Sequence, residues 1–202
     1  MNDSAKEFII KNLRQSLIDK NQLPAPSRSA NASHYRLLHS EDMMINFVKA
    51  FMLMGGKVEY CVTNEDLARN LKQWISENNV QDIKCSSNVL CTYIQSLNLG
   101  TDSLSLIGST EACKYGLVTC DSLIAWNGSI LISNENFERK TVNMPENSIL
   151  IAFTSQVLLD WKSYLKQTEE NGRKVPDQIV SLKPNTLTNT KIQLLLIEDQ
   201  NM

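Results

Sequence analysis

The sequence predicts an α/β fold: a mainly parallel sheet flanked by helices, with one β-hairpin. Three observations carry this reading. Residues 40–97 alternate helical and strand patterns joined by connections of only a few residues, the rhythm of parallel strands covered by helices. NSILIAF (147–153) is a strongly apolar strand. SLIAW (122–126) and SILIS (129–133) flank Asn127-Gly128, the strongest short-range hairpin signal, because a two-residue type I′ turn requires positive φ at both central residues.

The elements follow in order. Residues 4–19 read as a helix opened by a Ser4/Glu7 capping box, with Phe8, Ile9, Leu13, Leu17 and Ile18 on one face. LPAPSRSANAS (23–33) is rich in Pro, Ser and Ala and reads as linker. The chain thus divides into an amphipathic helical arm (1–22), a linker (23–39) and an α/β domain (40–202). In the domain, Ser40 is placed to cap a helix carrying Glu41 and Asp42 in its first turn and Met44, Phe47, Val48, Phe51 and Met54 on its apolar face. Gly55-Gly56 ends it. KVEYCV (57–62) is a strand, and Thr63 opens a helix with Leu67, Ala68, Leu71, Trp74 and Ile75 inward. QDIKCSS (81–87) is a second strand and NVLCTYIQSL (88–97) a third helix of the domain. Beyond it come strand SLSLIG (103–108), a helical turn STEACKYG (109–116), the hairpin and NSILIAF. SQVLLDWKSYLKQTEEN (155–171) reads as an amphipathic helix ending at Asn171-Gly172, and QIVSL (178–182) and KIQLLLIE (191–198) as the last strands.

Composition narrows the function classes. With 202 residues the chain holds one sizeable core, or a core plus an arm. A net charge of −2 provides no basic field to recruit nucleic acid or an anionic membrane. The longest apolar runs, FMLM (51–54) and IQLLLI (192–197), are too short to span a bilayer. The charged N-terminus carries no secretory pattern, so a cytoplasmic protein is expected. Five cysteines with no CxxC predict reduced, mostly buried thiols rather than a disulfide framework, zinc or an iron–sulfur cluster. His34 and His39 read as surface residues without a metal partner. Gly55-Gly56 precedes a strand, whereas a phosphate loop follows one and opens a helix. No metal and no cofactor are expected.

A resemblance adds to this. TCDSLIAWNGSILIS (119–133), then FERK (137–140), then NSILIAFTSQVLLDW (147–161) resembles the core of the LUD-domain lactate-utilisation family, whose members include LutC- and YkgG-like proteins. The matching positions are Cys120, Asp121, Leu123, Ile124, Ala125, Gly128 and Ser129, then Arg139, then Ile149, Ile151, Ala152, Thr154, Ser155, Gln156 and Val157. Departures are Asn127 for the family's threonine, Trp126 for a usually polar residue (here read as packed), and a shorter 179–199 segment without the family's glycines, arginine and acidic pair. The resemblance implies a Rossmann-like sheet of the kind seen in glucosamine-phosphate deaminase, ribose-phosphate isomerase and CoA transferases (NagB/RpiA/CoA-transferase-like). In such sheets ligands sit beyond the carboxyl ends of the strands.

On that basis the candidate ligand-binding residues are Asn127, Gly128, Ser129, Arg139, Thr154, Ser155 and Gln156. The bend at 127–129 and the helix entry at 154–156 are expected on one rim. Thr154 or Ser155 would cap the helix and leave amides for a small carboxylate or phosphate, with Arg139 as bidentate partner. Asp121 and Glu111 are the carboxylates near that edge, and no nucleophile–base pair is evident. The implied function is an accessory, assembly or small-anion-binding subunit of an L-lactate-oxidising iron–sulfur complex, with the iron–sulfur subunits as partners. The competing readings are a sugar-phosphate or CoA-type enzyme or sensor, and a divergent interaction module that forms a homodimer through its arm.

Overall fold

The computed structural model describes residues 42–97, 99, 105–107, 114–138, 141–184 and 191–199. The arm, the linker, Ser40, Glu41, both histidines, Glu111, Cys113 and Arg139 lie outside these residues. Helix α1 is Met43–Leu53, and its N-cap is Asp42, not Ser40. The Asp42 carboxylate accepts from the amides of Met44 (2.8 Å) and Ile45 (3.3 Å), a cap worth ~1 kcal/mol. Gly55, at φ 88°, turns the chain out of α1 into β1 (Lys57–Cys61). Thr63 and Asp66 form a reciprocal capping box that starts α2 (Asn64–Glu77). β2 (Asp82–Cys85) follows, and Ser87 caps α3 (Asn88–Ser96) through the Leu90 amide.

The remaining strands are β3 (Ser105–Ile107), β4 (Tyr115–Thr119), β5 (Ser122–Ile124), β6 (Ser129–Ser133), β7 (Asn147–Phe153), β8 (Val157–Leu158), β9 (Ile179–Leu182) and β10 (Lys191–Ile197). Six of the strands form one sheet in the order β1-β10-β7-β4-β2-β3, and every pairing in it is parallel. A second sheet, β8-β5-β6-β9, is mixed: β5 and β8 run parallel, while β6 is antiparallel to both β5 and β9.

The layers follow from which face each strand residue presents. Along β7, Ile149 and Ile151 join Leu117, Leu195 and Ile83 under α2 and α3. Leu150 and Ala152 point the other way, into a cluster with Phe47 and Phe51 of α1 and with Leu123, Ile130 and Ile132 of the second sheet. Burial on both faces is why NSILIAF is continuously apolar. The outer face of the second sheet packs Ile124 and Leu131 against Tyr164 of α4 (Trp161–Glu170). Removing Ile151, which is 1% exposed, to alanine would cost ~2–5 kcal/mol.

Three local expectations are corrected. First, Tyr115-Gly116 belong to β4, a central strand that the pattern missed, rather than to a helical turn. β4 has only a short apolar stretch beside a glycine, and that glycine is needed because Pro145 Cγ stands 2.5 Å from where its Cβ would be. Second, the 155–171 helix begins only at Trp161. Thr154–Gln156 form a short 3-10 turn, and Val157-Leu158 pair with Leu123-Ile124. Asp160 is the true cap, accepting from the Ser163 amide at 2.8 Å. Third, the hairpin turn is not a two-residue type I′. It spans Ala125–Gly128, closed by the Gly128 amide donating to the Ile124 carbonyl (2.9 Å), and of its four residues only Gly128 has positive φ.

Candidate functional site

Because the six-stranded sheet is wholly parallel, its carboxyl edge collects, among the described residues, Val62-Thr63, Ser86-Ser87, Cys120-Asp121, Thr154–Gln156 and Glu198-Asp199. Of the candidates within the described residues, Thr154, Ser155 and Gln156 stand on this edge. Asn127, Gly128 and Ser129 do not. β5 leaves the edge at Ser122 alongside β8, with Leu123 level with Val157, and reaches its turn at the far end. Ser129 pairs with Ile124, about 7 Å along the strand from Ser122 at ~3.3 Å per residue, and Asn127 and Gly128 lie beyond it, with Gly128 seated on Ala50 and Phe51 of α1. The expected shared rim is therefore absent between these two segments.

The Asn127 turn has a structural occupation. Asn127 Oδ1 accepts from both the amide (3.0 Å) and the hydroxyl (2.7 Å) of Ser129, which is fully buried. Gly128 lies against Ala50 and Phe51 of α1, so closely that a Cβ would stand 2.5 Å from the Phe51 nitrogen. Trp126, expected to pack, is 55% exposed at the tip. The position follows a strand–turn signal that is silent about which way the turn's own side chains point.

The trio is also committed, in a different way. Gln156 is a clip between strands: its Oε1 accepts from the Phe153 amide (2.7 Å), and its Nε2 donates to the Cys120 carbonyl (2.5 Å). Thr154 Oγ1 (2.9 Å) and the Ser155 amide (2.5 Å) both donate to Asp199 Oδ2. The anion at this amide is thus the chain's own carboxylate. The same happens nearby, where the Asn88 amide at the start of α3 donates to Glu138 Oε1 (3.0 Å).

Beside Gln156 the two sheets and α4 leave a polar cleft of about 260 Å³. Its floor includes Asp121, Ser122 and Tyr164, and Arg173 and Lys174 stand at its wall. Asp121 turns the corner from β4 into β5. Its Oδ1 accepts from Ser133 Oγ at 3.1 Å, and its Oδ2 is enclosed without a hydrogen-bond partner. Burial raises the Asp121 carboxyl above the ordinary carboxylate range; hydrogen bonds from Ser133 oppose the rise and the Glu135 charge adds to it. Burial and the neighbouring Asp121 charge push the Tyr164 phenol up to about 12. Lys174 pairs with Asp177 at 3.0 Å. The sequence named Asp121 as a position matching the LUD-family motif and as an available carboxylate, not as a ligand-binding residue. Arg173, Lys174 and Tyr164 carried no signal, since they converge on it only through the return of α4 toward the carboxyl edge.

The thiols of Cys61 (pushed up to about 11) and Cys85 (to about 12) are desolvated in the core, as is Cys120, also raised. Among the described residues no three His, Cys, Asp or Glu side chains gather as a metal site, and no helix is long and apolar enough to cross a membrane.

No family model matches this sequence, and no curated protein matches it either. Among solved structures, the crystal structure of a DUF162 family protein from Deinococcus radiodurans is similar, with 11% sequence identity and a TM-score of 0.57. The match covers 78% of this chain and 96% of that one. DUF162 is the LUD-domain family. The chain shares the α/β fold of a protein of that family: a parallel sheet flanked by helices, joined to a smaller mixed sheet.

Proposed function

We propose that this protein is of the LUD, LutC-like kind and serves as a small-anion-binding accessory subunit of an L-lactate-oxidising complex, whose electrons travel on iron–sulfur partner subunits. The observation that carries the reading is the fold shared with the DUF162 protein over nearly all of that protein's length. The ordered motif from Thr119 to Trp161 supports it. A polar cleft beside Gln156, at the carboxyl edge where ligands of α/β sheets are generally held, supports it as well. In this reading Thr154, Ser155 and Gln156 shape the edge, and the 127–129 turn fixes the hairpin against α1.

The test is affinity purification of the tagged full chain from cells of its own source grown on lactate, with iron and sulfide assayed in the eluate. Iron–sulfur subunits are expected to co-elute, and deletion of the gene is expected to slow growth on lactate. A solitary protein with unaffected lactate growth overturns the reading.

A further inference from the structure

We infer that the corner where the 125–128 turn meets the start of α4 is a docking surface for the chain's own N-terminal arm, residues 4–19. The corner is built from segments that the fold ties together. The Trp126 amide donates to the Leu159 carbonyl (3.0 Å), just past the end of β8, an edge strand of the second sheet. Two residues on, Trp161 opens α4 with its ring edge-on to Tyr164 (centroids 6.1 Å apart), and Leu165 lies one turn further along the same side of the helix. Gly128 seats the turn on Ala50 and Phe51, so the last turn of α1, which carries Leu53, borders the same corner. Leu53, Trp126, Leu159, Trp161 and Leu165 are 36–55% exposed. Singly, such residues are ordinary; drawn from three elements onto one corner, they make the kind of apolar patch that marks a binding surface.

The arm is the occupant that the chain's own layout favours. Its pattern places Phe8, Ile9, Leu13, Leu17 and Ile18 on one face of the 4–19 helix. An isolated helix of about four turns without an alanine-rich sequence is marginal in water, so the stripe needs a surface to form against. The described domain begins at Asp42, the cap of α1, and α1 itself runs ~16 Å from there to the corner. Residues 20–41, as a flexible coil, have a root-mean-square span of ~25 Å, enough to bring the arm alongside. A tether matched to its span holds the arm at about millimolar local concentration over its own patch. A second copy in dilute solution competes poorly with that.

The test is hydrogen exchange with mass spectrometry on the full chain at two protein concentrations, with the molar mass followed by light scattering. A docked arm predicts a monomer in which the amides of residues 4–19 exchange at least ~10-fold more slowly than the intrinsic rate of an unfolded chain. Trp126→Asp and Leu165→Asp, both at exposed positions, are each expected to return that slowing to about onefold while the core strands stay protected; the second serves if the first disturbs the hairpin. Conversely, Leu13→Asp is expected to raise acrylamide quenching of the tryptophans, because Trp126 and Trp161 are uncovered. Lys11→Asp, off the stripe, is expected to leave quenching as in the parent. Fast exchange of the arm in the parent overturns the inference. So does slow exchange that neither patch variant alters, and so does quenching unchanged in Leu13→Asp. Quenching raised as much by Lys11→Asp as by Leu13→Asp overturns the docking face. Arm protection that fades on dilution, together with a dimer mass, assigns the patch to a second copy and overturns the intramolecular occupant.

Discussion

Replacing Gly128 by alanine separates a turn that is packed against the domain from a turn that merely ends a hairpin. Two costs apply. At φ 62° an alanine sits in the left-handed region, at about 1–2 kcal/mol, while the stiffer unfolded chain returns about 0.4–1 kcal/mol. The second cost is contact. The new Cβ would lie 2.5 Å from the Phe51 nitrogen, 2.6 Å from the Ala50 carbonyl carbon and 2.9 Å from the Ala50 Cβ. Two of these atoms are helix backbone, so α1 and the hairpin must part, an overpacking penalty of about 1–3 kcal/mol. The sum is a loss of about 1–4 kcal/mol. Gly172 is the internal control: its φ is 64°, and no atom lies within 4 Å of its ideal Cβ, so Gly172→Ala carries only the conformational part, about 0–1.5 kcal/mol. Urea unfolding of both variants, followed by far-UV circular dichroism, measures the difference. If Gly128→Ala costs no more than Gly172→Ala, the seating of the hairpin on α1 is wrong, and the turn becomes free to serve a ligand.

Two further outcomes follow from the carboxyl edge. Gln156→Ala orphans the Phe153 amide and the Cys120 carbonyl, and should cost about 2–4 kcal/mol in urea unfolding; a loss within the ~0.5 kcal/mol of a surface change would refute the clip. Asp121 is raised in the folded state, so the folded protein holds its proton more tightly than the unfolded chain does. The ionised carboxylate therefore costs stability at high pH, and that cost disappears as pH falls through the raised value. The melting-temperature difference between Asp121→Asn and the parent should be more favourable to the variant near ~pH 7 than near ~pH 4; a flat difference counts against a desolvated acid.

Much of the fold was legible because its signals are local. Thr63 and Asp66 announce a helix start through their own side chains, Gly55 announces its predecessor's end, and the apolar runs of β7 and β10 are long enough to be unmistakable strands. β4 was hidden because Leu117 and Val118 are buried on opposite faces, which erases alternation, and because Gly116 reads as a breaker when its reason, Pro145, lies far along the chain. The 155–171 segment misled because Val157 and Leu158 fit a helical stripe as well as a strand. Only their parallel pairing with Leu123 and Ile124 decides between them.

The sequence by itself determined that a parallel α/β sheet forms, where most of its helices and strands lie, and that Asn127-Gly128 turns a hairpin, since each depends on residues close in the chain. Tertiary structure alone decided that this turn faces α1 rather than a ligand, that Asp199 and Glu138 occupy the backbone amides at the carboxyl edge, and that Asp121 meets Arg173 in a cleft. Those partners are 44 to 78 residues apart, and no periodicity encodes which distant side chain will arrive at a given strand tip.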